Sequence, residues 1–474
     1  MKRLNQTMTT LVCTAVAAVT TTAWALQPEV KIKITDEDTQ DDRPPAWAEA
    51  EHNALKNHVQ LTAPDRFVKA GEAYFSPDDS KIIFQAVARP KQGQTADEFY
   101  AMFVADVTYD DSNHITGLEN IRRISPEGSA NTCGWFHPTK KNTVIFGSTI
   151  DAPQKSDSPG YQRGTGRYKW QFPPGMNIVQ VNLDEADGTA EPLTLLAGKS
   201  DAYAAECSIS ADGRYLLYAS LESNEGDIFI KDLRTGAIKR LVDAPGYDGG
   251  PFFSPDDRRI CYRSDRRGDN LLQVYVAQLR FNEQNRIVRV DREFQLTNSA
   301  HVNWAPFWHP DGRHLVYTTS ELGHDNYEIF IMDAAGGREV SAEQTAGSST
   351  GTARYGTAKR RVTHADGFDG LPVFNSDGSI MMWTSQRGEQ NTSQIWAANF
   401  VMNLDPMSES KLPRIADESD LRVKDPETGI IYIYNTNTHE LTAYNPSSHE
   451  QREVTSQQEI RKAMRLFKEN DSDE

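Results

Sequence analysis

Six times along the chain an apolar or aromatic pair runs into a short polar turn, and a second apolar run follows. The segments are Tyr74-Phe75-Ser76-Pro77-Asp78-Asp79, Trp135-Phe136-His137-Pro138-Thr139-Lys140, Ser208-Ile209-Ser210-Ala211-Asp212-Gly213, Phe252-Phe253-Ser254-Pro255-Asp256-Asp257, Phe307-Trp308-His309-Pro310-Asp311-Gly312 and Val373-Phe374-Asn375-Ser376-Asp377-Gly378. Where Pro is present it fixes φ at the second turn position, and the Asp-Gly or Asp-Asp pair tolerates the bend that follows. The second apolar runs predict strands at residues 81–84, 143–146, 215–218, 259–262, 314–317 and 379–383, so each unit begins as a β-hairpin. A third strand follows at 101–104, 178–181, 227–231, 273–277, 328–332 and 394–398, and a fourth at 122–125, 192–195, 239–242, 294–297 and 360–363.

Four antiparallel strands repeated six times predict an all-β chain folded as a six-bladed β-propeller of four-stranded antiparallel blades. The sixth unit lacks a fourth strand of its own. Residues 58–61 run into Gln60-Leu61-Thr62, the same ending as Gln295-Leu296-Thr297, so this N-terminal strand is predicted to complete the last blade. Closing the ring in this way removes exposed sheet edges, which otherwise invite aggregation.

These repeats resemble the TolB-type, WD-like propeller repeat of bacterial periplasmic and secreted proteins, over about residues 58–400. The resemblance implies the propeller fold and an exported protein. Residues 26–57 are too short for the α/β domain that precedes the propeller in the TolB translocation protein. Residues 404–474 are too few for the hydrolase domain that other members carry.

The flanks agree with export. Lys2 and Arg3 precede a mildly apolar run at 11–19 and the small-x-small pattern Ala23-Trp24-Ala25, which predicts a signal peptide of residues 1–25. Periplasmic or secreted localisation follows, with residues 26–57 as a linker carrying a short helix. No other stretch is apolar enough to span a membrane. Cys133, Cys207 and Cys261 remain, an odd number without zinc spacing, and read as small buried residues. After the propeller, 404–424 reads as a linker, and 430–434 with 440–444 as a hairpin. A capping box at Ser456 and Glu459 then opens a helix with Ile460, Ala463, Met464 and Phe467 on one face, predicted to pack on the propeller.

Charge narrows the partners. Against 50 Lys+Arg stand 67 Asp+Glu, a net charge of −17 that argues against nucleic acid, whose phosphates are bound by basic residues. A monomeric propeller with a protein or glycan ligand is expected.

Aligned on their turns, the six units place Asn131, Asp248, Asn303 and Asp369 at one position of the entry to the innermost strand, with Glu72 and Glu206 two residues further on, beside Cys133. With His301 these form a candidate ligand-binding rim at the channel mouth. Converging carboxylates and amides can hold a polar ligand or a divalent cation, the one cofactor that the pattern suggests, and such side chains can equally satisfy backbone groups in tight turns. The loops between second and third strands share that face and bring Arg263, Asp265, Arg266, His324 and Arg387. The long loop at 148–177 adds Arg167, Tyr168 and Trp170, where aromatics beside Arg suit sugar rings or partner side chains.

Other motifs carry less. Gly347-Ser348-Ser349-Thr350-Gly351 fits a nucleophile elbow but lies in a Ser/Thr/Gly-rich insertion at 341–358 rather than between a strand and a helix. Two functional classes fit the chain: a binding scaffold for a protein or glycan, and a carbohydrate-active lyase or glycosidase using rim carboxylates and His301. The scaffold is the better supported, because no nucleophile–base set, paired-carboxylate motif or metal signature stands out, and no catalytic residue is assigned.

Overall fold

The computed structural model describes residues 45–153, 173, 175–184, 194–199, 202–223, 226–334, 338–340, 356–402, 420–435, 441–445, 450–454 and 456–470. Its first three blades are Phe67–Phe75, Lys81–Ala88, Ala101–Tyr109 and Ile115–Arg123; Asn131–Phe136, Thr143–Ser148, Asn177–Asn182 and Thr194–Ala197; and Ala204–Ile209, Tyr215–Ser220, Asp227–Asp232 and Ile238–Val242. The fourth holds Asp248–Phe253, Arg259–Ser264, Gln273–Phe281 and Ile287–Gln295, and the fifth Asn303–Trp308, His314–Thr319, Glu328–Asp333 and Thr357–Arg361. The sixth pairs Asp369–Phe374, Ile380–Ser385 and Gln394–Phe400 with Leu55–Gln60 from the N-terminal side, in the register Leu55↔Phe400 and Gln60↔Trp396. The closing strand was therefore legible three residues short of its start. Arg338–Val340, between the third and fourth strands of blade five, adds a fifth strand to the edge of blade four.

The turns explain their composition. Ser76 Oγ donates to Asp78 Oδ1 at 2.7 Å and accepts from Lys81 N at 2.9 Å, so one hydroxyl and one carboxylate satisfy the hairpin's free amides. Blades three and four repeat this with Ser210–Asp212 and Ser254–Asp256. In blades two and five an imidazole replaces the hydroxyl as acceptor. His137 Nδ1 accepts from Lys140 N at 3.1 Å, and His309 Nδ1 from Asp311 N at 3.1 Å. Burial, then the nearby Lys140 charge, holds His137 down at about 4, which keeps it neutral as that role requires.

The aromatic first residues of four repeat segments meet on the axis. Tyr74, Trp135, Phe252 and Phe307 pack with ring centroids 5.2–6.4 Å apart and fill the channel with apolar surface. Two residues earlier, each innermost strand carries a β-bulge whose left-handed residue is Glu72, Cys133, Glu206, Gly250, Ala305 or Leu371, with φ between 47° and 60°. A bulge bends its strand and re-aims a side chain, and five of the six positions accept the cost of a left-handed non-glycine residue.

The closing strand is anchored by buried charge. Glu51, at the end of the helix Ala46–Glu51, receives Arg387 Nη1 at 2.9 Å and Nη2 at 3.0 Å, while the same Nη2 donates to Asp369 Oδ2 at 2.8 Å. The Arg387 guanidinium lies 4.4 Å from the Trp47 ring and 4.9 Å from that of Trp383. Burial alone would raise the Glu51 carboxyl, but His58, Arg387 and the His364 amide together hold it below the ordinary range. A lowered carboxyl stabilises the fold above its unfolded value, and that stability is lost as pH falls through the folded value. Thermal melts from pH 7 to pH 3 should therefore show the wild type losing more stability than Glu51→Gln, which starts lower; parallel curves would remove Glu51 from the acid response.

Beyond the propeller, the predicted hairpin Ile431–Asn435 and Leu441–Asn445 is present and gains Asp420–Lys424 and Glu450–Glu453 as outer strands. The helix Gln457–Asn470 covers this sheet, and Val423, Tyr432, Leu441, Ala443, Val454 and Ala463 form a core of their own. Ser456 Oγ accepts from Glu459 N at 3.4 Å, while the Glu459 carboxylate turns to Arg452, so only half of the capping box forms. Residues 341–355 of the insertion at 341–358 and the signal segment at 1–25 lie outside the described residues. Among the described residues no helix is long and apolar enough to cross a membrane.

Candidate functional site

Above the aromatic plug the channel narrows to a neck and then opens. The space at the plug is about 20 Å³, and the cavity at the mouth is about 540 Å³. Glu72, Cys133, Glu206, Arg263 and Leu371 line both and so form the neck. Phe99, Tyr100 and Tyr203 wall the cavity from the side of blades one to three, and Trp304, Tyr327 and Phe368 from blades five and six. Rings of the latter three lie 5.8–6.5 Å apart. A pocket of this size with aromatic walls and a few polar groups fits a small molecule or one segment of a larger ligand.

The two bulge carboxylates have different surroundings. Glu206 Oε2 accepts from the Tyr247 hydroxyl at 2.6 Å and the Gly250 amide at 2.8 Å, and Oε1 accepts from Arg263 Nη2. Two glycines make this possible. A Cβ on Gly249 would stand 2.4 Å from Glu206 Oε2, and one on Gly250, at φ +60°, would stand 2.0 Å from Arg263 Nη1. Glu72 is held more loosely, accepting from the Tyr74 hydroxyl at 3.4 Å, the Thr132 hydroxyl at 3.5 Å and the Cys133 thiol. Burial, with the Glu206 charge adding to it, pushes the Glu72 carboxyl above its ordinary value against the opposing effects of Cys133 and Arg263. Burial and then the Glu72 charge drive the Cys133 thiol far up, so it is a neutral wall group rather than a thiolate.

Of the rim residues singled out in the sequence, Glu72, Glu206 and Asn131 line the cavity. Asn131 also ties blade one to blade two by donating to Tyr100 O at 3.0 Å. Asp248, Asn303 and Asp369 begin their strands fully buried and bond within the fold. Asp248 Oδ1 accepts from Arg266 Nη2 at 3.0 Å, Asn303 Nδ2 donates to Ser299 Oγ at 2.9 Å, and Asp369 Oδ1 accepts from the Trp383 indole at 3.0 Å. His301 does not line the cavity; its carbonyl accepts from Gln273 Nε2 at 2.9 Å.

The loop-face residues divide similarly. Arg263 and His324 line the cavity, the latter with Nδ1 at 3.1 Å from the Tyr327 hydroxyl. Asp265 accepts from Tyr247 N at 2.5 Å. Arg266 bridges Asp248 and Glu293 and stacks 4.3 Å from the Tyr275 ring, while Arg387 is sealed against Glu51. Arg167, Tyr168 and Trp170 lie outside the described residues. Sequence reasoning passed over Lys69, Gln85, Phe99, Tyr100, Tyr203, Trp304, Tyr327 and Phe368. For four of these a signal existed: Lys69, Tyr203, Trp304 and Phe368 each sit within one residue of the aligned strand-entry position.

Among the described residues no three His, Cys, Asp or Glu side chains come together to hold a metal, and Glu206 already carries a guanidinium where a cation would bind.

No family model matches the chain. It is 25% identical over 196 residues to the Tol-Pal system protein TolB of Wolinella succinogenes, covering 40% of this chain and 39% of that one. With the protein of the same name from Francisella tularensis subsp. mediasiatica it shares 27% identity over 239 residues, 42% of this chain and 54% of the other. The chain thus spans about half or less of the length of these curated relatives. Among solved structures, TolB of Acinetobacter baumannii aligns over 78% of this chain and 64% of its own at 15% identity, with a TM-score of 0.41. In sequence, the propeller is similar to those of TolB-type proteins.

Proposed function

We propose that the protein is an exported propeller that binds a protein or glycan ligand in the cavity at the channel mouth. The observation that carries this reading is the cavity itself: about 540 Å³, walled by six aromatic residues and floored by a buried polar neck. The similarity to TolB-type propellers and the N-terminal pattern of residues 1–25 support export; mass spectrometry of a periplasmic fraction should find a chain beginning at Leu26. Aromatic anchors at the centre of a binding surface supply much of its affinity. Purified protein screened against peptide and oligosaccharide panels should show saturable binding, and Phe368→Ala or Trp304→Ala should weaken it about tenfold or more while the blades stay folded at the temperature of the titration, as circular dichroism would show. Binding that both substitutions leave untouched would place the ligand elsewhere.

A further inference from the structure

Strand Phe67–Phe75 brings two opposite charges to the mouth cavity, and among the described residues neither has an ion pair of its own. The Lys69 ammonium rests 4.3 Å from the centre of the Tyr100 ring, a contact with an aromatic face and not with a carboxylate. Burial alone lowers its pKa, and no neighbouring charge opposes that. Glu72 has two long hydroxyl contacts and the Cys133 thiol, and the nearby cation, Arg263, is bonded to Glu206 instead, which has three donors. Lys69 and Glu72 do not pair with each other. Gln85, on the neighbouring strand of the same blade, lines the cavity at 9% exposure with its Oε1 buried and accepting no hydrogen bond.

Water in an open cavity screens such charges. A ligand that fills the cavity expels that water, and an ion desolvated without a counter-charge is strongly unfavourable. The occupant must therefore bring its own complement: an anion for Lys69, a cation for Glu72 and a donor for Gln85. A neutral sugar supplies neither charge, and an acidic sugar supplies one. Resting on the reading of this cavity as the ligand site, we propose that it receives a zwitterion of amino-acid or short-peptide type, its carboxylate set against Lys69, its ammonium against Glu72, and its side chain against the Trp304–Tyr327–Phe368 wall.

The test is calorimetric titration of the full chain with matched dipeptides bearing aliphatic or aromatic side chains. Each is used free, N-acetylated and C-amidated, with neutral oligosaccharides alongside. The free zwitterion should bind at least about tenfold more tightly than either capped form, as charge-assisted hydrogen bonds warrant. Glu72→Gln should abolish the effect of N-acetylation and keep that of amidation, and Lys69→Met should do the reverse. This crossed pattern cannot come from general unfolding. Capped and free forms binding equally, or no free dipeptide binding at all, would overturn the proposal. If oligosaccharides or capped peptides bind and Phe368→Ala weakens them, the zwitterion fails while the mouth stands as a ligand site.

Discussion

Arg387→Ala should destabilise the propeller by about 3–5 kcal/mol, the cost of breaking a buried ion pair by removing one partner. Both Arg387 and Glu51 have fully buried side chains, and Asp369 is nearly so. Removing the guanidinium takes the cation from two buried carboxylates and empties the space it fills against three indole rings, those of Trp47, Trp383 and Trp396. Its neighbours belong to the helix Ala46–Glu51 and to blade six, so the loss falls on the joint that closes the ring. Arg266→Ala is the internal control. Arg266 makes the same bonds in blade four, to Asp248 and to the ring of Tyr275, but it is partly exposed and closes nothing. Urea unfolding should show Arg387→Ala with the larger drop, and limited proteolysis should release the N-terminal strand first in that variant. Equal midpoints for the two variants would show that closure does not depend on this cluster.

That cluster marks where sequence reasoning reached and where it stopped. Blade number, turn chemistry and the closing strand could be read because each repeats a period-two pattern bounded by turn residues. From the sequence, Arg387 belongs to the loop face, where such charges can pair with neighbouring blades, and its full burial is not evident from that position alone. A signal for its burial lay within the repeats. Where the strand entry is aspartate, as in Asp248 and Asp369, the second strand ends in Ser-x-Arg, with Arg266 and Arg387. Where the entry is asparagine, as in Asn131 and Asn303, the matching positions are Ile150 and Glu321. A buried carboxylate needs a cation and a buried amide does not, so the repeats vary together inside one chain. Lys69 and Gln85 gave no such signal. They sit inside strands, and whether such a residue faces a neighbouring blade or a cavity depends on bulges that shift the register at Phe67/Lys69 and Gly71/Ala73. The left-handed residues at those bulges are mostly not glycine, so nothing in their identity announced them.

Arg263→Met should be the most damaging change at the site itself, again by about 3–5 kcal/mol, because it leaves Glu206 buried without its cation beside a second carboxylate. Arg263 and Glu206 have side chains only 7% and 8% exposed, and the Glu72 carboxyl already lies above its ordinary value through burial and the Glu206 charge, with Arg263 opposing the rise. Losing Arg263 lifts it further. The sign of the pH dependence follows. A carboxyl raised in the folded state holds its proton more tightly there than in the unfolded chain, so its ionisation opposes folding, and stability falls as pH rises through the raised value. The deficit of Arg263→Met relative to wild type should therefore be largest at pH 8 and shrink towards pH 5, opposite to the acid lability expected of the Glu51 joint. Gly250→Ala tests the same pair from the backbone side. Its methyl group would occupy the place of Arg263 Nη1 at a left-handed φ, so it should displace the guanidinium and reproduce that pH trend with added strain. Double substitution of Arg263→Met with Glu206→Gln should restore much of the lost stability, since it removes the stranded charge and not only its partner. A double variant as unstable as the single one at pH 8 would show that Arg263 acts by filling the neck and not by neutralising it.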